Sequence, residues 1–126
     1  MHLTNAEEQV MKYLWKLDKA FFKDLINQFP DPKPAITTVN TLLKRMIDKG
    51  FVGYKLFGNS RQYYPLVKKS KYFSKYINKL IEDFFNNSAP QFASFFAKET
   101  NLNRKELKKL RNIIDGEIKS KKKRLN

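Results

Sequence analysis

The run PAITTVNTLLKRMIDKGFV, residues 34–52, restricts the fold more than any other part of the sequence. Its apolar residues recur at helical spacing and predict an amphipathic helix over 35–49 with one buried stripe. The members of that stripe are Val39, Leu42, Leu43, Met46 and Ile47. Gly50 is placed to end the helix, and the residues after it have strand composition. A helix of this kind packs on one side and presents its other side to solvent or to a partner.

Two helical segments precede this helix, and two strand-like segments follow it. The segment LTNAEEQVMKYLWKL opens with a capping pattern at Thr4 or Asn5, and FFKDLINQF ends at the proline-rich PDPKP. FVGYKLF and RQYYPL have strand composition and are separated by the turn GNS, which predicts a hairpin wing over 51–65. The fold class is therefore mainly α with a small β-hairpin. The order of elements is that of a winged helix-turn-helix head.

A helical tail follows the head and divides the chain into domains 1–67 and 68–126. Its first helix carries an apolar stripe two residues wide, and further apolar residues follow in two more helices. The set is Tyr72, Phe73, Tyr76, Ile77, Leu80, Ile81, Phe84, Phe85, Phe92, Phe95, Phe96, Leu107 and Leu110. Monomers rarely expose a patch of this size, so the sequence predicts a symmetric dimer through the tail. The alternative is a tail that folds back on its own head.

The charge of the chain favours a polyanionic partner. The formal net charge is +14, and the stretch from Lys49 to Ile81 contains Lys and Arg but no Asp or Glu. Nucleic acid and an anionic membrane surface both fit such an excess. The sequence lacks an apolar run of the roughly 18 residues that a membrane span needs, and its start lacks a signal-peptide pattern. A cytoplasmic location is therefore expected.

The composition argues against an enzyme. There is no cysteine, which excludes disulfides, thiolate metal sites and cysteine nucleophiles. The single histidine, His2, stands next to the start, where chains usually fray. The sequence also lacks a metal-ligand set, a nucleophile–base pair and a phosphate loop. We therefore predict no enzymatic activity, no metal, no cofactor and no small-molecule ligand.

Small polar residues crowd the first turns of the helix over 35–49. In helix-turn-helix proteins the start of the second helix enters the major groove, where Asn pairs with adenine and a Thr methyl contacts thymine. The predicted DNA contacts are Thr37, Thr38, Asn40, Thr41, Lys44 and Arg45 on the helix and Lys55 and Arg61 on the wing. Lys44 and Arg45 are expected to clamp phosphates. The alternative is that the polar residues only cap the helix or face solvent.

Three stretches, LTNAEEQVMKYLW, TTVNTLLKRMIDKGFV and GNSRQYYPLV, resemble the BlaI/MecI family of penicillinase repressors. The resemblance covers residues 3 to about 115. It implies a winged-helix head, a dimerising helical tail, and repression by binding a two-fold symmetric double-stranded DNA operator. It also implies DNA contacts from the positions Thr37, Thr38, Asn40, Thr41, Arg45 and Arg61. Copper-responsive relatives carry a cysteine pair near the C-terminus, and this chain has none.

The resemblance further implies a proteolytic switch. In the family, a sensor in the membrane triggers cleavage of the repressor between an asparagine and a phenylalanine of the tail. The run ASFFAKETNLNRKELKKLRNII aligns with that region and puts Phe95 and Phe96 at the cleavage pair. The phenylalanine is kept and the asparagine is replaced. A membrane sensor protease is thus an expected partner, and the replacement predicts either a different protease preference or another releasing signal.

A second class of function stays open at the level of sequence. A basic adaptor module that binds protein or an anionic membrane surface would carry the same charge, because a fold does not fix a function. Salt-dependent binding to duplex DNA, followed by competition between sequences, separates the two readings.

Overall fold

The computed structural model describes residues 2–125. Its elements, in chain order, are α1 (Asn5–Leu17), β1 (Ala20–Phe21), α2 (Phe22–Gln28), α3 (Ile36–Asp48), β2 (Val52–Phe57), β3 (Ser60–Pro65), α4 (Lys69–Phe84), α5 (Ala89–Glu99) and α6 (Arg104–Leu125). The chain forms two compact units that meet in sequence after Lys75. Within the described range, every helix lacks the length or the apolar character that crossing a bilayer requires. The predicted fold class, mainly α with a winged helix-turn-helix head and a helical tail, is confirmed.

The core of the first unit is built from apolar residues of α1, α3 and the strands. Val10, Met11 and Leu14 of α1 are fully buried, as are Val39 and Met46 of α3. Each such side chain stabilises the fold by roughly 1.5–3 kcal/mol relative to an exposed one. The helical spacing read from the sequence therefore identified the stripes that meet in the core.

The end of α3 turns the chain directly into the wing. Gly50 has a φ of +82°, a backbone conformation that a residue with a Cβ rarely adopts. Its N–H donates to the carbonyl of Ile47, and the N–H of Phe51 donates to the carbonyl of Met46. This is the paired hydrogen-bond pattern of a glycine-terminated helix, and Phe51 is buried beside it. The glycine stop predicted from the sequence is confirmed.

The sheet has three strands, where the sequence predicted a two-stranded hairpin. The strand order is β1-β3-β2, with antiparallel pairing between neighbours. The extra strand, β1, lies between α1 and α2 in the sequence. It pairs with strand β3 of the wing, with Ala20 opposite Tyr63. On β3, Tyr63 is buried, while the ring of the next residue, Tyr64, lies over Gly53 of β2. A Cβ on Gly53 would come within 2.8 Å of that ring, so the glycine makes room for it.

The beginning of α4 packs on the first unit. The indole Nε1 of Trp15 donates a hydrogen bond of 2.8 Å to the carbonyl of Val67, just before α4. The hydroxyl of Tyr72 donates to Oε2 of Glu8 at 2.8 Å, and Tyr72 is only 7% exposed. Phe73 packs against Trp15 with ring centroids 6.0 Å apart. Tyr72 and Phe73, two members of the predicted dimer stripe, are therefore engaged within a single chain.

The second unit holds a small aromatic cluster and a larger exposed apolar surface. The Phe85 ring lies 5.4 Å from the ring of Phe92 and 5.4 Å from that of Phe95. Phe92 stacks on Phe96 at 6.1 Å. Among described residues of this unit none is buried, and Phe84 is 78% exposed. These ring contacts join the residues after α4 to α5. They leave most of the apolar surface of the unit exposed.

A buried carboxylate links the start of α1 to the end of α3. Glu7 completes the capping box of α1, since its N–H donates to Oγ1 of Thr4 and its Oε1 accepts from the N–H of Thr4. The same Oε1 accepts from Nζ of Lys49 at 2.7 Å. Burial acts to raise the pKa of Glu7, but the hydrogen bonds from Lys49 and Thr4 and the charge of Lys49 outweigh it. The pKa therefore lies below its ordinary value of 4.5.

This contact predicts a pH-dependent stability. Because the folded-state pKa of Glu7 is lowered, its contribution is complete above pH 4.5 and is lost as the pH falls through the folded-state pKa. Lys49→Met should lower the free energy of unfolding at pH 7 by about 1.5–3 kcal/mol, because it removes a charged hydrogen bond and leaves a buried carboxylate without its counter-charge. Urea unfolding measures the change. The loss should shrink at a pH well below 4.5.

Lys44→Met is the matched control, since Lys44 is an exposed lysine on the same helix. It should change the stability little at either pH. An equal loss of stability in the two variants would show that the Glu7–Lys49 contact is not the cause.

Candidate nucleic-acid interface

The exposed face of α3 is fixed by its buried stripe. Val39, Leu43 and Met46 are buried, and helical geometry therefore turns Thr37, Thr41 and Lys44 to the opposite side. The six residues of α3 predicted to contact DNA are all exposed: Thr37, Thr38, Asn40, Thr41, Lys44 and Arg45. They lie on the outer face and its two flanks, where they are free to meet a partner.

The start of α3 has no side-chain cap, so the threonines of its first turn do not serve as caps. The N-cap is Ala35, whose carbonyl accepts from the N–H groups of Thr38 and Val39 at 3.1 and 3.2 Å. Thr37 and Thr38 stand inside the first turn and do not occupy the capping position. This start is also the positive end of the helix dipole, which favours a nearby phosphate.

The hydroxyl group and the methyl group of Thr41 have different surroundings. Its Oγ1 donates a hydrogen bond of 2.9 Å to the carbonyl of Thr37. Such a bond to the preceding turn holds the rotamer and leaves the methyl group as the outward-facing part. Thr41 is thus suited to an apolar contact, while Asn40 beside it offers both donors and an acceptor.

The wing carries two cations that lie over aromatic rings. The guanidinium carbon of Arg61 is 4.3 Å from the ring centroid of Tyr54. Nζ of Lys55 is 5.6 Å from the ring centroid of Phe57. Both cationic side chains are exposed. They flank the turn at Gly58, so the wing presents positive charge close to its tip.

An open groove joins the wing to α3. Asn40 of α3 and Arg61 of β3 line it together, with Asn59 and Ser60 at the wing tip. Lys23, at the start of α2, also lines the groove. Lys23 could not be predicted as part of the site, because its proximity to the groove depends on the short strand β1, which no sequence pattern marks. The structure therefore brings two predicted contacts, Asn40 and Arg61, to one surface and adds a further cation.

The predicted dimerisation and cleavage residues belong to the tail. The members of the predicted dimer stripe from Tyr76 onward belong to the second unit, and the other two, Tyr72 and Phe73, pack in the first. Phe95 and Phe96 lie within α5 and are partly exposed. Within the described residues, carboxylates and histidines do not cluster in a group of three or more that could hold a metal ion.

Comparisons with known proteins identify the family of the chain. The family model described as penicillinase repressor matches residues 3–116. The methicillin resistance regulatory protein MecI of Staphylococcus aureus (strain N315) is 30% identical over 118 residues, which are 90% of this chain and 93% of that protein. The penicillinase repressor of Bacillus licheniformis is 25% identical, with 96% and 94% of the two chains covered.

A solved structure matches about half of the chain. The solution structure of the DNA-binding domain of the repressor BlaI superposes with a TM-score of 0.51 at 28% identity. The match covers 56% of this chain and 88% of that domain. The resemblance seen in the sequence is therefore confirmed. The chain belongs to the BlaI/MecI family of penicillinase repressors, which is made up of transcriptional repressors.

Proposed function

We propose that this chain represses transcription by binding duplex DNA through α3 and the wing. Membership of a repressor family supports repression, and the likeness to a DNA-binding domain supports the head as the binding part. One observation carries the choice of surface: the face of α3 opposite the buried stripe is polar and basic, and its flank shares a groove with Arg61 of the wing.

The side chains on this surface divide by chemistry into two groups: readers, which contact bases, and clamps, which contact phosphates. Asn40 can make a bidentate contact with adenine, and the methyl group of Thr41 can contact the methyl group of thymine. Thr37 and Thr38, in the first turn, are placed for bases or phosphates near the helix start. Lys44, Arg45, Lys55 and Arg61 carry charge without a base-specific geometry in the free chain, and they act on phosphates. Affinity then comes mainly from the cations and discrimination from Asn40 and Thr41.

Discrimination between sequences tests the two proposed readers. Asn40→Ala should reduce the preference for the operator over a scrambled duplex by about 1–3 kcal/mol, because it removes a bidentate base contact. Thr41→Ser, which loses the methyl group, should also reduce the preference. Thr41→Val keeps a methyl group in place and should stay close to wild type. Competition binding with the two duplexes measures all three.

Lys44→Ala is the matched control for this series. It should weaken binding to both duplexes alike and flatten the dependence of affinity on salt, since it removes a phosphate contact. A uniform loss for all of these variants would contradict the division into readers and clamps. An unchanged preference after Asn40→Ala would remove Asn40 from the reading set.

We further propose that two chains associate through their second units. Apolar side chains are left exposed there on three helices, among them Phe84 of α4, Phe95 of α5 and Ile114 of α6. Uncovered apolar surface on this scale is unusual for a monomer, and a two-fold dimer is the commonest way to cover it. A two-fold protein in turn fits a two-fold operator, with one head on each half-site.

Phe84→Glu tests the association. A charge placed in an apolar contact is expensive to desolvate, so the variant should be monomeric in sedimentation equilibrium where the wild type is dimeric. Leu56→Glu is the control, because Leu56 is a similarly exposed apolar residue on the wing. It should leave the dimer intact. A wild-type chain that sediments as a monomer at micromolar concentration would contradict the dimer.

We also propose that a protease acting at Phe95–Phe96 would release DNA by removing α6 from the dimer. The bond between these residues lies inside α5, whose start is capped by Ser88 accepting from the N–H of Gln91. A protease needs an extended substrate, so α5 has to open before the bond is cut. Loss of α6 then removes Leu107 and Leu110 from the proposed interface.

Exposure of producing cells to a β-lactam tests the switch. Because Phe95 stands where the family has asparagine, the wild-type chain should stay intact at this bond on an immunoblot. Phe95→Asn restores the family pair and should yield a fragment that ends at residue 95. A clean cut of the wild-type chain between residues 95 and 96 would show that the replacement does not matter.

A further inference from the structure

In the free chain, Arg61 already contacts an aromatic ring of the wing. In the register of the wing, Arg61 of β3 is opposite Leu56 of β2, and Tyr54 is opposite Tyr63. Arg61 and Tyr54 are thus diagonal neighbours on one face of the hairpin, close enough for long side chains to meet. The guanidinium carbon lies 4.3 Å from the centroid of the Tyr54 ring, well inside the range of a cation–π contact.

The ring beneath the guanidinium is itself supported from the core. Tyr54 packs against Tyr63 with ring centroids 6.3 Å apart, and Tyr63 is buried with 5% of its surface exposed. The order from inside to outside is therefore buried ring, partly exposed ring and exposed guanidinium. This support restricts the movement of Tyr54, and through it the movement of Arg61.

A guanidinium over an aromatic ring keeps its binding capacity. The guanidinium carbon of Arg61 lies over the Tyr54 ring, and a guanidinium that meets a ring with its flat face keeps the five N–H donors along its edge available to other partners. Those donors are what a phosphate or a groove acceptor would meet. A free arginine side chain loses rotamer freedom when it binds, and one already held on a ring loses less.

We propose that Tyr54 is a positioning residue that orients Arg61 for contact with the DNA backbone. The inference rests on the proposed function, because it takes duplex DNA as the partner of the wing. Nothing in the sequence pattern assigned Tyr54 to the DNA surface. Its role is to act through Arg61, so Tyr54 matters for binding only while Arg61 is present.

The second cation of the wing, on β2, provides a contrast within the same hairpin. Lys55 lies 5.6 Å from the centroid of Phe57, and its ammonium is a compact charge without a flat face to stack. Phe57 also has another neighbour, because its ring packs edge-on against Phe21 at 5.9 Å. Phe57→Leu therefore removes an aromatic ring from β2 without touching the Tyr54–Arg61 pair.

A double-mutant cycle on the full-length chain tests the inference. The probe is a labelled duplex of mixed sequence at low ionic strength, since a backbone contact does not depend on the operator. Tyr54→Leu should weaken binding by about 2- to 5-fold per bound head when Arg61 is present. In an Arg61→Ala background the same change should have no further effect. Tyr54→Phe keeps the ring and should bind like wild type, and Phe57→Leu should show no coupling to Arg61.

The outcomes separate this inference from the proposed function. An equal loss from Tyr54→Leu in both backgrounds would mean that Tyr54 only supports the fold of the wing, and would overturn the inference. No loss in either background would also overturn it. A wild-type chain that fails to bind the duplex at all contradicts the proposed function and removes this inference with it. Thermal unfolding of each variant confirms that the head is folded.

Discussion

The packing of Val39, Leu43 and Met46 into the core fixes how α3 is turned about its own axis, and the proposed DNA surface follows from that rotation. A helix with one stripe buried has its opposite face exposed, whatever residues occupy it. The end of α3 is then tied down twice. Gly50 turns the chain into the wing, and Lys49 reaches the buried carboxylate of Glu7 on α1. The wing and α3 therefore have a fixed orientation relative to each other, and Asn40 and Arg61 line the same groove.

The sequence was sufficient for those parts of the fold that depend on local pattern. The periodicity of α3, the stop at Gly50 and the hairpin that follows all rest on residues close together in the chain. The strand β1 was missed because its two residues pair with Tyr63 and Gln62, about forty positions away, and no local signal marks so short a strand. The apolar stripe of the tail is continuous in the sequence, but Tyr72 packs in the first unit. Periodicity shows that a helix face is apolar and does not show which neighbour that face contacts.

The same distinction applies to the candidate site. The exposure of the polar residues on α3 followed from the helical pattern and is seen in the structure. The hydrogen bond of the Thr41 hydroxyl within the helix could not be predicted, because a threonine hydroxyl can bond either to its own helix or to a partner. The cation–π contact of Arg61 with Tyr54 depends on the register of the hairpin. Register is set by turn geometry, so a difference of one residue would place the two side chains on opposite faces.

The central claim is that two heads hold one symmetric stretch of DNA, each through α3 and its wing. Hydroxyl-radical footprinting of the full-length chain on the DNA upstream of its own coding sequence tests it most directly. The account predicts two protected segments related by a two-fold axis, with centres separated by a whole number of helical turns of about 10–10.5 base pairs. A single unsymmetrical footprint, or none at a concentration where the chain still binds anionic vesicles, would contradict the account and favour a basic adaptor instead.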